Sequence, residues 1–146
     1  DLLTSHMSKL SKKLLKHLHE EVYCKLGISK VHGIGVFAIR AIPKGVNPMR
    51  TWHKVEEVEI DLKDLKGLPK GVRKELEIFC YYKDKVMNIP SVGMNTMNMA
   101  VYLNHSKKPS VKYLKNGQLS TLKAIRSGEE LMLDYDVSFG EKHVFD

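Results

Sequence analysis

No stretch of about 20 consecutive apolar residues occurs in the chain, so a membrane-spanning helix is excluded. Cysteine is scarce. Cys24 and Cys80 make neither a disulfide framework nor a cysteine-built zinc site, and a reducing compartment is the expected setting. No leader with a secretory apolar core opens the sequence. Arginine is sparse beside lysine, and the lysines fall in polar, turn-like contexts such as Lys12-Lys13, Lys107-Lys108, Lys112 and Lys115. A nucleic-acid binder wants interleaved aromatics and clustered arginine on one face, so nucleic acid ranks last among partners. The net charge of +7 permits an acidic partner without requiring one, and it reads as a solvated surface. Internal repeats and low-complexity tracts are absent.

What remains is an ordinary globular composition, 42% hydrophobic and 28% charged, which suits one domain with its own core. Residues 1–6 read as a cloning scar ahead of Met7 and are left out of fold reasoning. Residues 1–22 form an N-terminal flank. Leu10, Leu14, Leu18 and Val22 stand four apart, with Leu15 widening the stripe. That spacing predicts a helix with an apolar face and a basic back, capped by Ser8 or Ser11 and packed on its own domain rather than on a membrane. His17 and His19 are expected to face solvent as a helix pair rather than to bind a metal.

The segment 23–50 reads as short strands and tight turns, with "KVHGIG" between "YCKLGIS" and "GVFAIRAI" and a turn at Pro43–Gly45. Residues 51–92 change character and predict a helical insert. "VEEVEIDL" alternates like an exposed strand, Leu62, Leu65 and Leu68 stand three apart, and Pro69 opens a helix over Val72, Leu76 and Phe79. Beyond it, "MNTMNMAVYL" reads as a strand. "VKYLKNGQLSTLKAI" reads as a hairpin closed by a type I′ turn at Asn116-Gly117, and "EELMLDYD" reads as a last strand.

Three short signals carry chemistry. "HGIGVFA" places Gly33 and Gly35 where backbone can approach a ligand closely or take positive φ. It lacks the third glycine of a dinucleotide site. "NHSKKPS" runs an apolar stretch straight into Asn104 and His105, whose burial is costly unless their polar atoms find partners. "GEELMLDYD" ends on Tyr135. Each alone is most simply a turn, a satisfied buried pair and an edge strand.

In this order the three resemble the SET domain, the catalytic module of protein lysine methyltransferases, over residues from about Cys24 to Val137. The resemblance implies a β-rich α+β fold of small sheets, the β-clip, with a pseudo-knot where the "NHS" and "GEEL–DY" segments cross. It implies a SET domain over 23–137 with the insert at 51–92, and a tail, 138–146, that closes the active site. It implies S-adenosyl-L-methionine as cofactor, held by His32, Gly33, Ile34, Tyr102, Asn104, His105 and Tyr135, with Tyr135 at the methyl-transfer centre. Transfer from a sulfonium to an amine is an in-line displacement. It needs a neutral lysine, and an apolar channel beside a cation favours that form. Alignment supplies most of the rest. No metal is called for. The partner is then a protein substrate bearing a lysine, a histone tail or a non-histone protein. The acidic stretch Glu56, Glu57, Glu59 and Asp61 could draw a basic tail. The location implied is intracellular, nuclear by resemblance, with the cytoplasm also open.

The departures bear on substrate and vigour. Members often carry cysteine after "NHS" and a zinc-binding cysteine-rich segment at the end; here Lys107 follows and the tail has no cysteine. Phe139 and Phe145 are expected to close the substrate channel instead. Leu133 stands where many members have Phe or Tyr, and a residue without a phenol there predicts room for di- or trimethylation. A rival class is a degenerate SET module that binds a tail or a partner protein without turnover.

Overall fold

The computed structural model describes residues 8–51 and 55–139. The chain forms two compact units, one from residues 1–52 with 102–146 and one from 53–101.

The first unit opens with α1, Lys9–Glu20, which Ser8 caps by accepting the Ser11 amide at 3.1 Å. The expected packing of its apolar face does not occur: no α1 residue is buried, and Leu10, Leu14, Leu15 and Leu18 are 39–59% exposed. The helix is fastened at its C-terminal end. There the Arg40 guanidinium donates to the His19 carbonyl at 3.1 Å and Arg50 pairs with Glu21 at 3.3 Å. His17 corrects the solvent-facing expectation, because its side chain is 17% exposed and turns toward Glu21.

The main sheet follows from strand-length apolar runs. It contains β1, Cys24–Ile28; β2, Ile34–Ala38; β6, Asn104–His105; β7, Val111–Tyr113; β8, Leu119–Thr121; and β9, Glu130–Leu133. Its order is β1-β2-β9-β7-β8, with β6 also beside β9. Alternation in β9 sends Leu131 and Leu133 into a core shared with Val36, Ile42, Leu103, Val111 and Ile125. The Asn116-Gly117 hairpin is present, but its turn is not type I′. Gly117 takes φ +81° while Asn116 stays at negative φ, and the Gly117 amide closes on the Leu114 carbonyl. A type I′ turn needs positive φ at both central residues.

The crossing of the two motif segments is visible in their hydrogen bonds. β6 pairs in parallel with β9, Asn104 opposite Met132 and His105 opposite Leu133, and the Ser106 amide donates to the Leu133 carbonyl. Ser110 bonds Met132 instead, amide to carbonyl at 2.9 Å. Successive carbonyls of a strand point to opposite edges. The run Ser106–Ser110 therefore passes from one edge of β9 to the other.

The second unit holds β3, Glu57–Asp61; β4, Tyr82–Lys83; and β5, Val86–Pro90, in the order β3-β5-β4. A 3₁₀ turn, Leu62–Leu65, matches the three-residue leucine spacing. Helix α2, Lys70–Phe79, starts after Pro69. Leu76, Cys80 and Met87 form the core, with Leu62, Leu65 and Leu68 against it. The expected strand over "MNTMNMAVYL" is instead a 3₁₀ turn, Met99–Tyr102. The Asn98 side chain accepts the Ala100 amide at 2.9 Å and its carbonyl accepts the Val101 amide, which offers the backbone a turn in place of a ladder.

Candidate active site

The glycine motif is built on a closed turn between β1 and β2. Ser29 Oγ accepts the amides of Val31 at 2.9 Å and His32 at 3.2 Å, and the Ser29 amide donates to the Gly33 carbonyl. The same hydroxyl donates to Glu130 Oε2 at 3.0 Å, which uses its full capacity of one donor and two acceptors. His32, Gly33 and Ile34 face solvent. Gly33 sits at φ +49° with no atom within 4 Å of where a Cβ would stand, so the turn presents open backbone. Gly35 is small for the opposite reason. A Cβ there would lie 2.0 Å from Glu130 Oε1 and 3.2 Å from Asn104 Nδ2.

Asn104, 7% exposed, explains how an amide survives in an apolar strand. Its Nδ2 lies 2.9 Å from the His32 carbonyl, 3.3 Å from that of Ile34 and 3.2 Å from Glu130 Oε1. Two protons are shared among three acceptors. The side-chain amino group thus braces the glycine turn from behind.

Tyr135 follows β9 and begins the short helix α3, Tyr135–Phe139. Its amide donates to His105 Nδ1 at 3.0 Å, its hydroxyl donates to the Leu103 carbonyl, and the two rings lie 5.3 Å apart. Burial first, and then repulsion from Tyr113 where both would ionise, pushes the phenol above its ordinary value, so it is a neutral donor near pH 7. His105 Nδ1 accepts the Tyr135 amide in this arrangement, and Asp134 Oδ1 lies 4.0 Å from the same nitrogen. Asp134 is occupied elsewhere: it accepts the amides of Asp136 at 3.0 Å and Val137 at 3.4 Å and pairs with Lys107. His105, Asp134 and Asp136 bring three ligand-type atoms within 4.8 Å of one another, but the Lys107 ammonium already lies against both carboxylates.

The remaining expected residues fall as follows. Tyr102 is half-buried at the end of its 3₁₀ turn. Leu133 is 2% exposed and belongs to the sheet core. Phe139 ends α3, and its side chain, like Phe145, lies outside the described residues. Sequence reasoning missed Ser29, Glu130 and the Leu103 carbonyl. For Glu130 the signal was its place in β9, on the face opposite Leu131 and Leu133. A cleft of about 600 Å³ between α1 and residues 46–51 lies apart from the motifs and is lined by other residues.

A model of the SET domain matches residues 33–136. The chain belongs to the SET-domain family. Among solved structures, the SET-domain chain resembles one from Plasmodium falciparum described as a "putative histone methyltransferase". The TM-score is 0.51 at 17% identity, over 83% of this chain and 99% of that one, and a likeness at that identity shows the fold. Comparison with curated proteins gave no match. The small sheets, crossed segments and few helices are those of a SET domain, with the lysine-methyltransferase-like fold that the family name carries.

Proposed function

We propose that this SET domain is an S-adenosylmethionine-dependent methyltransferase acting on the side-chain amine of a protein lysine, with histone tails as its first candidate substrates and a nuclear, chromatin-facing site of action. One observation carries the reading. Tyr135 is held by amide and hydroxyl at the crossing of the two motif segments, as a protonated phenol beside the open glycine turn's brace, Asn104.

The residues present fit the cofactor. The left-handed turn at Gly33 has room above its backbone, where a Cβ would take space that a close-lying ligand needs. Exposed His32 and Ile34 flank it, and Asn104 ties it to β6, beside half-buried Tyr102 and His105. These would hold the cofactor, which when bound supplies an electrophilic methyl group next to a positive sulfur. The chain's own part is positional. Asn104 and Ser29 fix the turn, and His105 and the Leu103 carbonyl fix the Tyr135 ring so that its oxygen can orient an incoming neutral amine. Because the phenol stays protonated, the substrate lysine must lose its proton to solvent before transfer.

The test is radiolabelled methyl transfer to histones and a peptide array, with calorimetric titration of S-adenosylmethionine beside it. Tyr135→Phe is expected to lower transfer by about 100-fold or more while cofactor affinity stays within about threefold. Truncation after Val137 is expected to abolish transfer. Wild-type turnover in Tyr135→Phe removes the assignment. A second reading, tail binding without turnover, is favoured by Leu133, which is buried where many members carry a phenol. Cofactor binding with no transfer to any peptide would select it.

A further inference from the structure

We infer that Lys107 is a positioning residue: its ammonium clasps Asp134 and Asp136, the two chain neighbours of Tyr135, and so fixes the phenol from the solvent side. The inference rests on the proposed transferase reading, because it concerns the tyrosine which that reading places at the centre. The contacts themselves stand independently.

Residues 103–107 and 133–136 are joined like the two sides of a zipper. The Leu103 carbonyl takes the Tyr135 hydroxyl, His105 Nδ1 takes the Tyr135 amide, and the Leu133 carbonyl takes the Ser106 amide. Lys107 supplies the next tooth, with Nζ 3.4 Å from Asp134 Oδ1 and also bonded to Asp136 Oδ2. The first three links are short dipolar bonds in the partly buried crossing. The Lys107 link is ionic and faces solvent.

A single exposed ion pair contributes little. Three features separate this one from that case. One cation serves two carboxylates. Asp134 is only 13% exposed, although Lys107 is 65% exposed. Asp134 also accepts the Asp136 and Val137 amides, which start α3. A pull on either carboxylate is therefore transmitted to the backbone on one side of Tyr135. The hydrogen bond to Asp136, foremost, raises the affinity of Lys107 for its proton, so the clasp stays charged across the physiological range.

Where members often have a cysteine after "NHS", this chain has Lys107. The lysine makes an ionic fastening between the crossing and the start of the C-terminal segment. Such a fastening answers to ionic strength and not to chelators.

The experiment compares wild type, Lys107→Met, Lys107→Arg, Asp136→Asn and the Lys107→Met/Asp136→Asn double variant in transfer kinetics and thermal unfolding. Lys107→Met is expected to lower kcat by about tenfold or more, since misplacement acts on alignment, with KM for the acceptor peptide moving less than about threefold. Lys107→Arg restores most of kcat. Raising salt from about 0.05 M to about 0.5 M lowers wild-type kcat and leaves Lys107→Met flat. In unfolding, the two single substitutions are non-additive at low salt and additive at high salt. An unchanged kcat in Lys107→Met, or Lys107→Arg no better than Lys107→Met, overturns the inference. Should Lys107→Met not fold, Asp136→Asn replaces it in the same comparison. If wild type transfers no methyl group to any substrate, the proposed function fails by itself. The unfolding cycle then decides the clasp, and additivity at both salts overturns it.

Discussion

Removing the Asn104 amide tests whether the site is braced as described. In Asn104→Ala, three acceptors lose a donor: the carbonyls of His32 and Ile34 and the Glu130 carboxylate. The two carbonyls lie in an exposed turn where water can replace the donor, so they add little. Glu130 is half-buried and charged, and a hydrogen bond to a charged group is worth about 1.5–3 kcal/mol. A net loss of about 2 kcal/mol corresponds to a melting shift of roughly 5–10 °C for a chain of this size. Amide exchange should quicken at Val31 and His32, because Ser29, which accepts both amides, is held by the same Glu130. Asn104→Asp is the sharper probe. It keeps the shape but points a carboxylate at two carbonyls and at a second carboxylate 3.2 Å from the old nitrogen. Like charges this close raise a carboxyl pKa. Where the folded pKa is raised, stability is intact below the unfolded value, near ~4, and falls as pH rises through the folded value. The Asp variant should therefore be worse than Ala at pH 8 and recover toward pH 4–5 on the order of the carboxylate range. A melting change within about 1 °C for Ala, with exchange at Val31 and His32 unaltered, would refute the brace. So would an Asp variant no worse than Ala at pH 8.

Four further outcomes follow from the structure. Gly35→Ala should destabilise by about 2–3 kcal/mol, because its methyl meets Glu130 Oε1, and the carboxylate cannot withdraw without breaking the bond of Oε1 to Asn104 and that of Oε2 to Ser29. Gly33→Ala should cost only about 1–2 kcal/mol for its left-handed φ, and chemical denaturation of both variants would show the order reversed if the packing is misjudged. Cys24 is buried and its thiol is pushed up to about 11, so at pH 8 thiol reagents should modify it only as fast as the unit opens. The buried thiol favours folding below its unfolded value of 9.0, and that advantage fades as pH rises to about 11; rapid labelling of the native protein at pH 8 would contradict its burial. Deleting residues 1–20 should shift the melting temperature by less than about 2 °C, since α1 buries no residue, and a larger loss would mean its leucines are packed in solution.

The sequence was most legible where local chemistry and tertiary structure ask for the same thing. Helix α2 follows Pro69 and covers Val72, Leu76 and Phe79, as their spacing predicts. The hairpin over 111–121 pairs Val111 with Thr121 and Tyr113 with Leu119 around the expected tip. Only its turn type was misread, because Asn-Gly is compatible with a type I turn that leaves the positive φ to Gly117 alone. The Met99–Tyr102 turn was misread because its apolar residues match a strand, while the deciding group is the Asn98 side chain just before it. The stripe on α1 was read correctly as a pattern, yet periodicity says which face is apolar and not whether anything covers it.

Glu130 shows why the site itself was only half legible. In "GEELMLDYD" it alternates with leucines and reads as a charge facing water. Its two oxygens instead join Ser29, 101 residues away, to Asn104, 26 residues away. Its place in β9 gives its face but not partners that distant, because the cost of burying it is offset by groups that only the fold brings near. The same holds for Asn104. Its position after an apolar run marked it as costly and therefore as purposeful, but the choice between holding a ligand and holding the fold could not be made from its neighbours. The geometry divides the labour. Asn104 and Glu130 bond the turn and Gly35 makes space for them, while Gly33 has open space above its backbone. Substitutions at Asn104 or Gly35 should therefore appear first in stability, and substitutions at His32 or Ile34 first in binding.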